Sequence, residues 1–179
     1  MSINKLIISG FGGQGVMLIG QLIAYAAMIE NKHVTWLPAY GPEMRGGTAN
    51  CSIIISDKEI SSPVISKATE LVVFNYPSLI KFKPFLGDEG KLYINKSMIK
   101  ENFDKVNIDV YGVDANEIAI SLGNEKIANM VMLGVIIGTT GIVKKESIYE
   151  ALNKVFKGAK SNMISINIEA YEAGEKLFK

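Results

Sequence analysis

The stretch "KLIISGFGGQGVMLI", residues 5–19, places four glycines between an apolar run and a helical pattern. Gly10, Gly12 and Gly15 match the pattern G-x-G-x-x-G directly after a predicted strand and at the start of a predicted helix. A turn without side chains lets an anion approach the unpaired amide groups at the positive end of a helix. The stretch therefore predicts a strand–turn–helix unit, and the question is whether its turn binds a phosphate.

The rest of the chain alternates between strand and helix patterns, without repeats or a linker. Short runs rich in Ile and Val predict strands at 5–9, 33–38, 49–56, 70–75, 91–95 and 108–113. Apolar residues at three- and four-residue steps predict helices at 14–30, 78–85, 115–122, 125–138, 145–156 and 163–177. This order favours a three-layer α/β/α fold with a mainly parallel, Rossmann-like sheet. Asp57 and Lys58, between two apolar runs, predict a hairpin that adds an antiparallel element.

Composition limits the classes of function that this chain can have. A length of 179 residues with 48% hydrophobic content predicts a single domain, residues 1–179. Lysine and arginine number 19 against 18 acidic residues. The chain therefore lacks the excess of positive charge that is typical of proteins that bind nucleic acid. The apolar runs are far shorter than the roughly 20 residues of a membrane span, and the N-terminus lacks a signal-peptide pattern. We therefore expect no membrane association and a cytoplasmic location.

The single cysteine and the single histidine exclude several kinds of site on this chain alone. Cys51 lacks the companions that an internal disulfide, a four-cysteine zinc site or an iron–sulfur cluster needs, and we expect it to be a buried, inert residue. His33 opens a predicted strand and has no metal-ligand spacing around it. We expect no catalytic residue and no metal site on this chain.

The glycine turn carries only half of the dinucleotide-binding pattern. That pattern also needs an acid about 20 residues on, near the end of the second strand, to bind a ribose hydroxyl. The predicted strand here continues as "VTWLPAYG", residues 34–41, without an acid or an arginine. The turn is left with two interpretations: a phosphate-binding loop, or a turn whose glycines serve only close packing.

A second motif, "PAYGPEMRGGTANCSIII", covers residues 38–55 and joins two predicted strands. Its glycines and proline predict an exposed, irregular loop at the carboxyl end of a strand, where open α/β sheets bind ligands. Arg45 has a planar guanidinium suited to carboxylate or phosphate, and Glu43 is placed to orient it. The alternative is a plain loop with a surface ion pair.

The predicted helix at 125–138 is apolar on nearly all sides, which is typical of a buried helix. Asn129 on this helix is interpreted as a hydrogen-bonded core amide or a contact with a partner chain. Gly134 and Gly138 are four residues apart and would let another helix approach closely.

Taken together, "GFGGQGV", "YGPEMRGGTANCSIIISD" and "GNEKIANMVMLG" resemble the gamma subunit of the thiamine-diphosphate-dependent 2-oxoacid:ferredoxin oxidoreductases over essentially the whole chain. The fuller form of the second motif most resembles the 2-oxoglutarate enzymes, with the 2-oxoisovalerate, pyruvate and indolepyruvate enzymes as relatives. Such complexes decarboxylate a 2-oxoacid, reduce ferredoxin and transfer the acyl group to coenzyme A.

The resemblance implies that thiamine diphosphate, magnesium and iron–sulfur clusters belong to partner chains, and that this chain alone binds no cofactor. The implied partners are alpha, beta and ferredoxin-like delta subunits, together with ferredoxin; contacts between copies of this chain stay open. The implied role is structural, with contact to coenzyme A as a further expectation. Candidate residues for ligand or interface contact are Gly10, Gly12, Gly13, Gly15, Tyr40, Gly41, Glu43, Arg45, Gly46, Gly47 and Asn129. The alternative function is that of a free-standing, dinucleotide-dependent Rossmann oxidoreductase.

Overall fold

The computed structural model describes residues 3–39, 48–101, 103, 108–157 and 163–178, which form six strands and six α-helices. The strands are β1 (Ile3–Phe11), β2 (His33–Ala39), β3 (Thr48–Ser56), β4 (Ala68–Val73), β5 (Leu86–Asn95) and β6 (Asp109–Val113). The helices are α1 (Val16–Ile29), α2 (Tyr76–Phe82), α3 (Ala115–Ser121), α4 (Ala128–Thr140), α5 (Lys145–Val155) and α6 (Ile164–Glu175). The predicted strands and helices are all present. The largest difference from a predicted boundary is in β5, which begins at Leu86 instead of residue 91 and so includes the polar stretch "GDEG".

One mixed sheet has the strand order β2-β3-β1-β4-β5-β6. β1, β4, β5 and β6 pair in parallel, whereas β3 pairs antiparallel with both β1 and β2. From β1 the chain passes through α1 to the β2 side of the sheet, and from β4 it passes through α2 to the β5 side. The carboxyl ends of β1 and β4 therefore form the topological switch point, where open α/β sheets bind their ligands.

The predicted hairpin at Asp57 and Lys58 is wrong. No strand follows β3 directly, because residues 57–67 run without regular structure. The antiparallel element is β3 itself, and its sequence neighbour in the sheet is the preceding strand β2. β3 is buried on both faces, with Ile53 and Ile54 in different core clusters, and it pairs along both edges, with β1 and with β2. The second apolar run instead places Ile65 in the core as part of an irregular segment.

Helices cover both faces of the sheet, which confirms the α/β class, but they cover them unequally. One core cluster joins a sheet face to α1, α3, α4, α5 and α6. The other cluster joins the opposite face to α2 and to irregular segments that include Ile65 and Ile99. Helix α4 lies within the thicker layer and is buried continuously from Ala128 to Ile137. The predicted all-round burial of this helix is therefore confirmed.

Helices α4 and α6 contact each other through their backbones. A Cβ atom added at Gly134 would lie 1.9 Å from the carbonyl oxygen of Tyr171, and one added at Gly174 would lie 1.9 Å from that of Val131. Gly138 is less tightly enclosed, because its added Cβ would lie 3.1 Å from the carbonyl oxygen of Glu175. The predicted close approach at Gly134 and Gly138 is confirmed, and α6 contributes a third glycine to it.

We expect Gly134→Ala to lower the free energy of unfolding by roughly 1–3 kcal/mol, because α4 and α6 must separate to admit the methyl group. Gly138→Ala is the matched control. Its contact is looser, and alanine gains roughly 1 kcal/mol over glycine within a helix, so we expect a change near zero. Urea denaturation followed by far-ultraviolet circular dichroism measures both. Equal stabilities of the two variants would contradict the close helix contact.

Candidate functional site

The glycine turn connects β1 to α1 at the switch point of the sheet. Gly13 and Gly15 adopt positive φ angles of 93° and 75°, in the left-handed region that favours glycine. Gly15 is the N-cap residue of α1, and no side chain caps this helix. Gly10 lets the side chain of Gln14 pack directly against the backbone, since a Cβ added at Gly10 would lie 2.7 Å from Gln14 Oε1. No side chain of the turn therefore accepts a hydrogen bond from the first amide groups of α1.

The side chain of Gln14 fixes the turn from within. Its Oε1 accepts hydrogen bonds from the backbone N–H of Phe11 at 2.7 Å and from Nδ2 of Asn75 at 3.0 Å. Asn75 follows β4 and caps α2, where its Oδ1 accepts from the N–H of Ser78 at 2.9 Å. One carboxamide pair thus joins the ends of β1 and β4 to the start of α2.

A second chain of polar side chains continues from β5 to the start of α4. Asn95, which is 1% exposed at the end of β5, donates through Nδ2 to Oδ1 of Asn116 at 2.8 Å. Asn116 in turn donates through its own Nδ2 to Oε1 of Glu125 at 3.1 Å. The carboxyl edge of the sheet is therefore lined mainly by neutral carboxamides. Glu125 is the exposed, last member of this series of hydrogen-bonded side chains.

Asn129 closes the turn from the side of α4. It is 4% exposed, and its Oδ1 accepts from the N–H of Met130 at 3.0 Å. A Cβ added at Gly15 would lie 2.3 Å from Nδ2 of Asn129, so the amide group packs directly against the glycine. The sequence-based interpretation of Asn129 as a buried amide is confirmed, and the structure brings it to the glycine turn.

These groups surround a cavity of about 240 Å³ at the carboxyl edge of the sheet. Its lining combines carboxamides with apolar side chains. The lining residues are Gly13, Gln14, Phe74, Met98, Asn116, Glu125, Lys126, Ala128 and Asn129. A few placed polar groups among apolar walls are typical of ligand sites, and the cavity is a candidate binding site on that ground.

The geometry of β2 argues against a dinucleotide in this cavity. In the usual arrangement the second strand lies beside the first, and an acid at its end reaches the ribose. Here β3 is inserted between them, so the end of β2 lies two strand spacings, about 10 Å, from β1. The strand also ends at Ala39 without an acid. Within the described residues, the ribose contact lacks both the acid and a second strand directly beside β1 to position it.

Within the second motif, the end of β2 and the start of β3 lie at the same edge of the sheet as the glycine turn. Thr48, the first residue of β3, pairs with Phe11, and Ala39 at the end of β2 pairs with Asn50. Lys81 of α2 donates to Oγ1 of Thr48 at 3.2 Å. Six predicted site residues of this motif lie outside the described residues: Tyr40, Gly41, Glu43, Arg45, Gly46 and Gly47.

Neither the cysteine nor the histidine lies in the cavity lining. Cys51 is fully buried, and burial raises the pKa of its thiol to about 12, so it is protonated and unreactive at neutral pH. His33 lies exposed at the start of β2. Among the described residues no group of three or more His, Cys, Asp or Glu side chains is placed to hold a metal ion. In the same ranges no helix is long and apolar enough to cross a membrane.

Sequence reasoning did not identify Gln14, Asn75, Asn95 or Asn116. A signal for two of them was available: Asn75 and Asn95 each follow directly after an apolar run, "LVVF" and "LYI". Carboxyl ends of parallel strands meet at one edge of a sheet, so such residues are brought together. Gln14 and Asn116 carry no comparable signal, because their roles depend on contacts between distant elements.

We expect Gly15→Ala to destabilise the protein more than Gly13→Ala. Both variants put a side chain at positive φ, which costs about 1–2 kcal/mol. A Cβ at Gly13 has no other atom within 4 Å, whereas one at Gly15 collides with Asn129. The collision should add roughly 1–3 kcal/mol. Urea denaturation of the two variants measures the difference, and equal losses would show that Asn129 does not pack on the turn.

Residues 5–177 match the family described as pyruvate ferredoxin/flavodoxin oxidoreductase. Over 171 residues the chain is 42% identical to the ketoisovalerate oxidoreductase subunit VorA of Methanothermobacter marburgensis. That alignment covers 93% of this chain and 35% of the relative, so this chain spans about a third of the relative's length. The 2-oxoglutarate synthase subunit KorC of Methanocaldococcus jannaschii is 32% identical over 178 residues, which cover 97% of this chain and 95% of the relative.

The fold is shared with solved structures. The gamma subunit of a keto/oxoacid ferredoxin oxidoreductase from Geobacter sulfurreducens aligns with a TM-score of 0.81 at 26% identity, over 96% of each chain. A 2-oxoglutarate:ferredoxin oxidoreductase from Magnetococcus marinus aligns with a TM-score of 0.88 over 98% of this chain and 31% of its own; at 18% identity it shows likeness of fold alone. The motif-based resemblance is confirmed: this chain belongs to the pyruvate ferredoxin/flavodoxin oxidoreductase family.

Proposed function

We propose that this chain is the gamma component of a 2-oxoacid:ferredoxin oxidoreductase. The complex would oxidatively decarboxylate a 2-oxoacid, transfer the acyl group to coenzyme A and reduce ferredoxin. The observation that carries the proposal is the family match over residues 5–177. The KorC relative, which aligns over nearly its full length, supports it further. The second motif favours 2-oxoglutarate as substrate and the more similar VorA relative favours ketoisovalerate, so both are substrates to assay.

The chemistry would belong to partner chains. This chain has one cysteine, and that thiol is buried and protonated. A chain with one cysteine does not supply the ligand set of an iron–sulfur cluster. In the proposal, alpha and beta chains hold thiamine diphosphate with magnesium, a ferredoxin-like delta chain holds the clusters, and the assembly acts on ferredoxin in the cytoplasm. The role of this chain is to complete the assembly and to contact coenzyme A.

Two observations support a contact with coenzyme A. The cavity at the switch point offers hydrogen-bonding groups, and the ribose-binding acid of a nicotinamide site is missing. The solved structure of the Magnetococcus marinus enzyme, whose fold matches over this chain, has 2-oxoglutarate, coenzyme A and succinyl-CoA bound. The position of β2 disfavours the alternative function, a dinucleotide-dependent enzyme.

Reconstitution tests the proposed function. We expect the purified chain to be colourless and to show no 2-oxoacid-dependent reduction of ferredoxin. Activity should appear when the alpha, beta and delta chains are added, and omission of this chain should abolish it. Assays with 2-oxoglutarate and with ketoisovalerate identify the substrate. Visible absorbance from stoichiometric iron in the isolated chain would refute the proposal. Full activity of the other subunits in the absence of this chain would refute it too.

Arg45 is the only arginine among the 19 basic residues of the chain, and it lies in the second motif. A guanidinium binds carboxylate or phosphate with two parallel hydrogen bonds, which an ammonium group does not reproduce. We expect Arg45→Ala to change the melting temperature of the isolated chain little, because exposed pairs contribute roughly 0–1 kcal/mol. In the reconstituted complex it should raise the KM for coenzyme A or weaken subunit association, and Arg45→Lys should restore little.

Separate assays distinguish the two roles of Arg45. A raised KM with unchanged association indicates a ligand contact, and weaker association with an unchanged KM indicates an interface contact. If Arg45→Ala unfolds the isolated chain while the folded complex keeps its activity, the motif is structural and the proposal for this loop is wrong.

A further inference from the structure

Helix α2 is apolar on two opposite sides. Its inner side packs Leu79 and Phe82 into the core cluster of the thinly covered sheet face. Its outer side presents Tyr76 and Ile80, which are 46% and 55% exposed. These two residues are four positions apart, so they lie on one side of the helix. A helix that is apolar all round is typical of a position covered on every side, and within this chain α2 is covered only from the sheet.

The exposed apolar surface continues beyond α2. Phe85, in the 3₁₀ turn that follows the helix, is 42% exposed. Val64, in the irregular segment before β4, is 72% exposed. Lys67 joins this segment to the turn, because its Nζ donates to the carbonyl oxygen of Pro84 at 3.4 Å. We refer to the surface formed by Val64, Tyr76, Ile80 and Phe85 as the α2 face.

Helix α5 shows how a water-facing helix of this protein is built. Its inner side packs Ile148 and Leu152 into the core. Its exposed residues are all polar: Glu146, Glu150, Asn153 and Lys154. The outer side of α2 has the opposite character, and exposed apolar patches of this kind mark interaction surfaces.

The charges of the α2 face are mainly of one sign. Residues 60–87 are all described by the structure, and their single acid, Glu70, is buried. Glu101 reaches the face from outside this range, and its carboxylate accepts from the hydroxyl of Tyr76. Three exposed lysines form no ion pair within the described residues: Lys67, Lys81 and Lys83. The face therefore combines apolar side chains with an excess of positive charge.

This combination limits what can cover the α2 face. A second copy of this chain fits poorly, because a twofold contact would place the same lysines opposite each other. An anionic membrane fits poorly too, since basic clusters that bind lipid surfaces carry roughly four to eight Lys or Arg, and α2 has only seven residues. An apolar protein surface with acidic residues around it complements both the side chains and the charge.

The relatives support a protein as the occupant. The region of the VorA relative that matches this chain is 35% of its length, and in the Magnetococcus marinus structure the matching region is 31% of the chain. Both relatives therefore attach further protein directly to the equivalent domain.

We propose that the α2 face binds an acidic surface of a partner chain, with Ile80 and Phe85 against apolar side chains and Lys81 and Lys83 beside carboxylates. The inference rests on the proposed function, because the partner is one of the other chains of the complex. It also accounts for the unequal cover of the sheet, since the partner supplies the outer layer over α2.

Binding of the full-length chain to the alpha, beta and delta chains tests the inference. Lys83→Glu reverses a charge of the α2 face, and Lys154→Glu makes the same change on the outer side of α5. At about 50 mM salt we expect Lys83→Glu to raise the Kd about tenfold or more, and Lys154→Glu to leave it within about twofold. Ile80→Asn removes an apolar contact without a change of charge and should also raise the Kd about tenfold. Thermal denaturation verifies that each variant is folded.

Cross-linking identifies the occupant. A carbodiimide joins a lysine amine to a carboxylate in contact with it, and mass spectrometry locates the linked residues. In the assembled complex we expect Lys81 and Lys83 to be joined to Asp or Glu of a partner chain. Links to another copy of this chain would refute the inference. Binding of the chain to phosphatidylserine vesicles that Lys83→Glu abolishes, with subunit association unchanged, would refute it as well.

The outcomes separate the inference from the proposed function. If the wild-type complex assembles and is active but Lys83→Glu and Ile80→Asn keep the wild-type Kd, the inference fails alone. If the chains assemble without 2-oxoacid-dependent reduction of ferredoxin, the proposed function fails, and the Kd values still decide whether the α2 face is the interface. If the wild-type chain binds none of the three chains, both fail.

Discussion

The contact between Asn129 and Gly15 is the constraint on which the candidate site depends. It joins the start of α1 to the central helix α4 at a distance that no side chain at position 15 would permit. Helix α4 is in turn held against α6 by the backbone contacts at Gly134 and Gly174. Two sets of glycines therefore determine where α4 lies. One set brings α4 and α6 together, and the other brings the turn against α4, so the cavity wall is fixed by packing on both sides.

The site is ordered by carboxamides instead of by charges. Asn75 and Asn95 are each at most 2% exposed, and each links the end of a strand to a neighbouring element. A carboxamide has both a donor and an acceptor, so it satisfies a backbone group with one atom and leaves the other for a neighbour. A buried charge at the same place would need a partner of opposite sign. The result is a cavity wall whose polar side chains are carboxamides, apart from the exposed Glu125 and Lys126.

The sequence predicted the strands and helices because most of them carry clear periodicity and many are flanked by glycine. It also located the glycine turn and the buried amide of Asn129, since both lie in local patterns. The position of β3 was not predictable in the same way. Its apolar run fits a strand with neighbours on both sides, but the choice between a following hairpin partner and the preceding strand β2 depends on pairing across the sheet. The contacts of Gln14 and Asn116 depend on that tertiary arrangement too.

The antiparallel strand β3 changes how the Rossmann-like sheet of this protein can bind a ligand. It takes the place beside β1 that the second strand occupies in dinucleotide-binding folds, and so it moves the ribose position out of reach. At the same edge it brings Thr48 beside Phe11, so the start of β3 lies next to the glycine turn. The sole arginine lies in the sequence between β2 and β3, whereas the charged residues that line the described cavity are one acid and one base, Glu125 and Lys126.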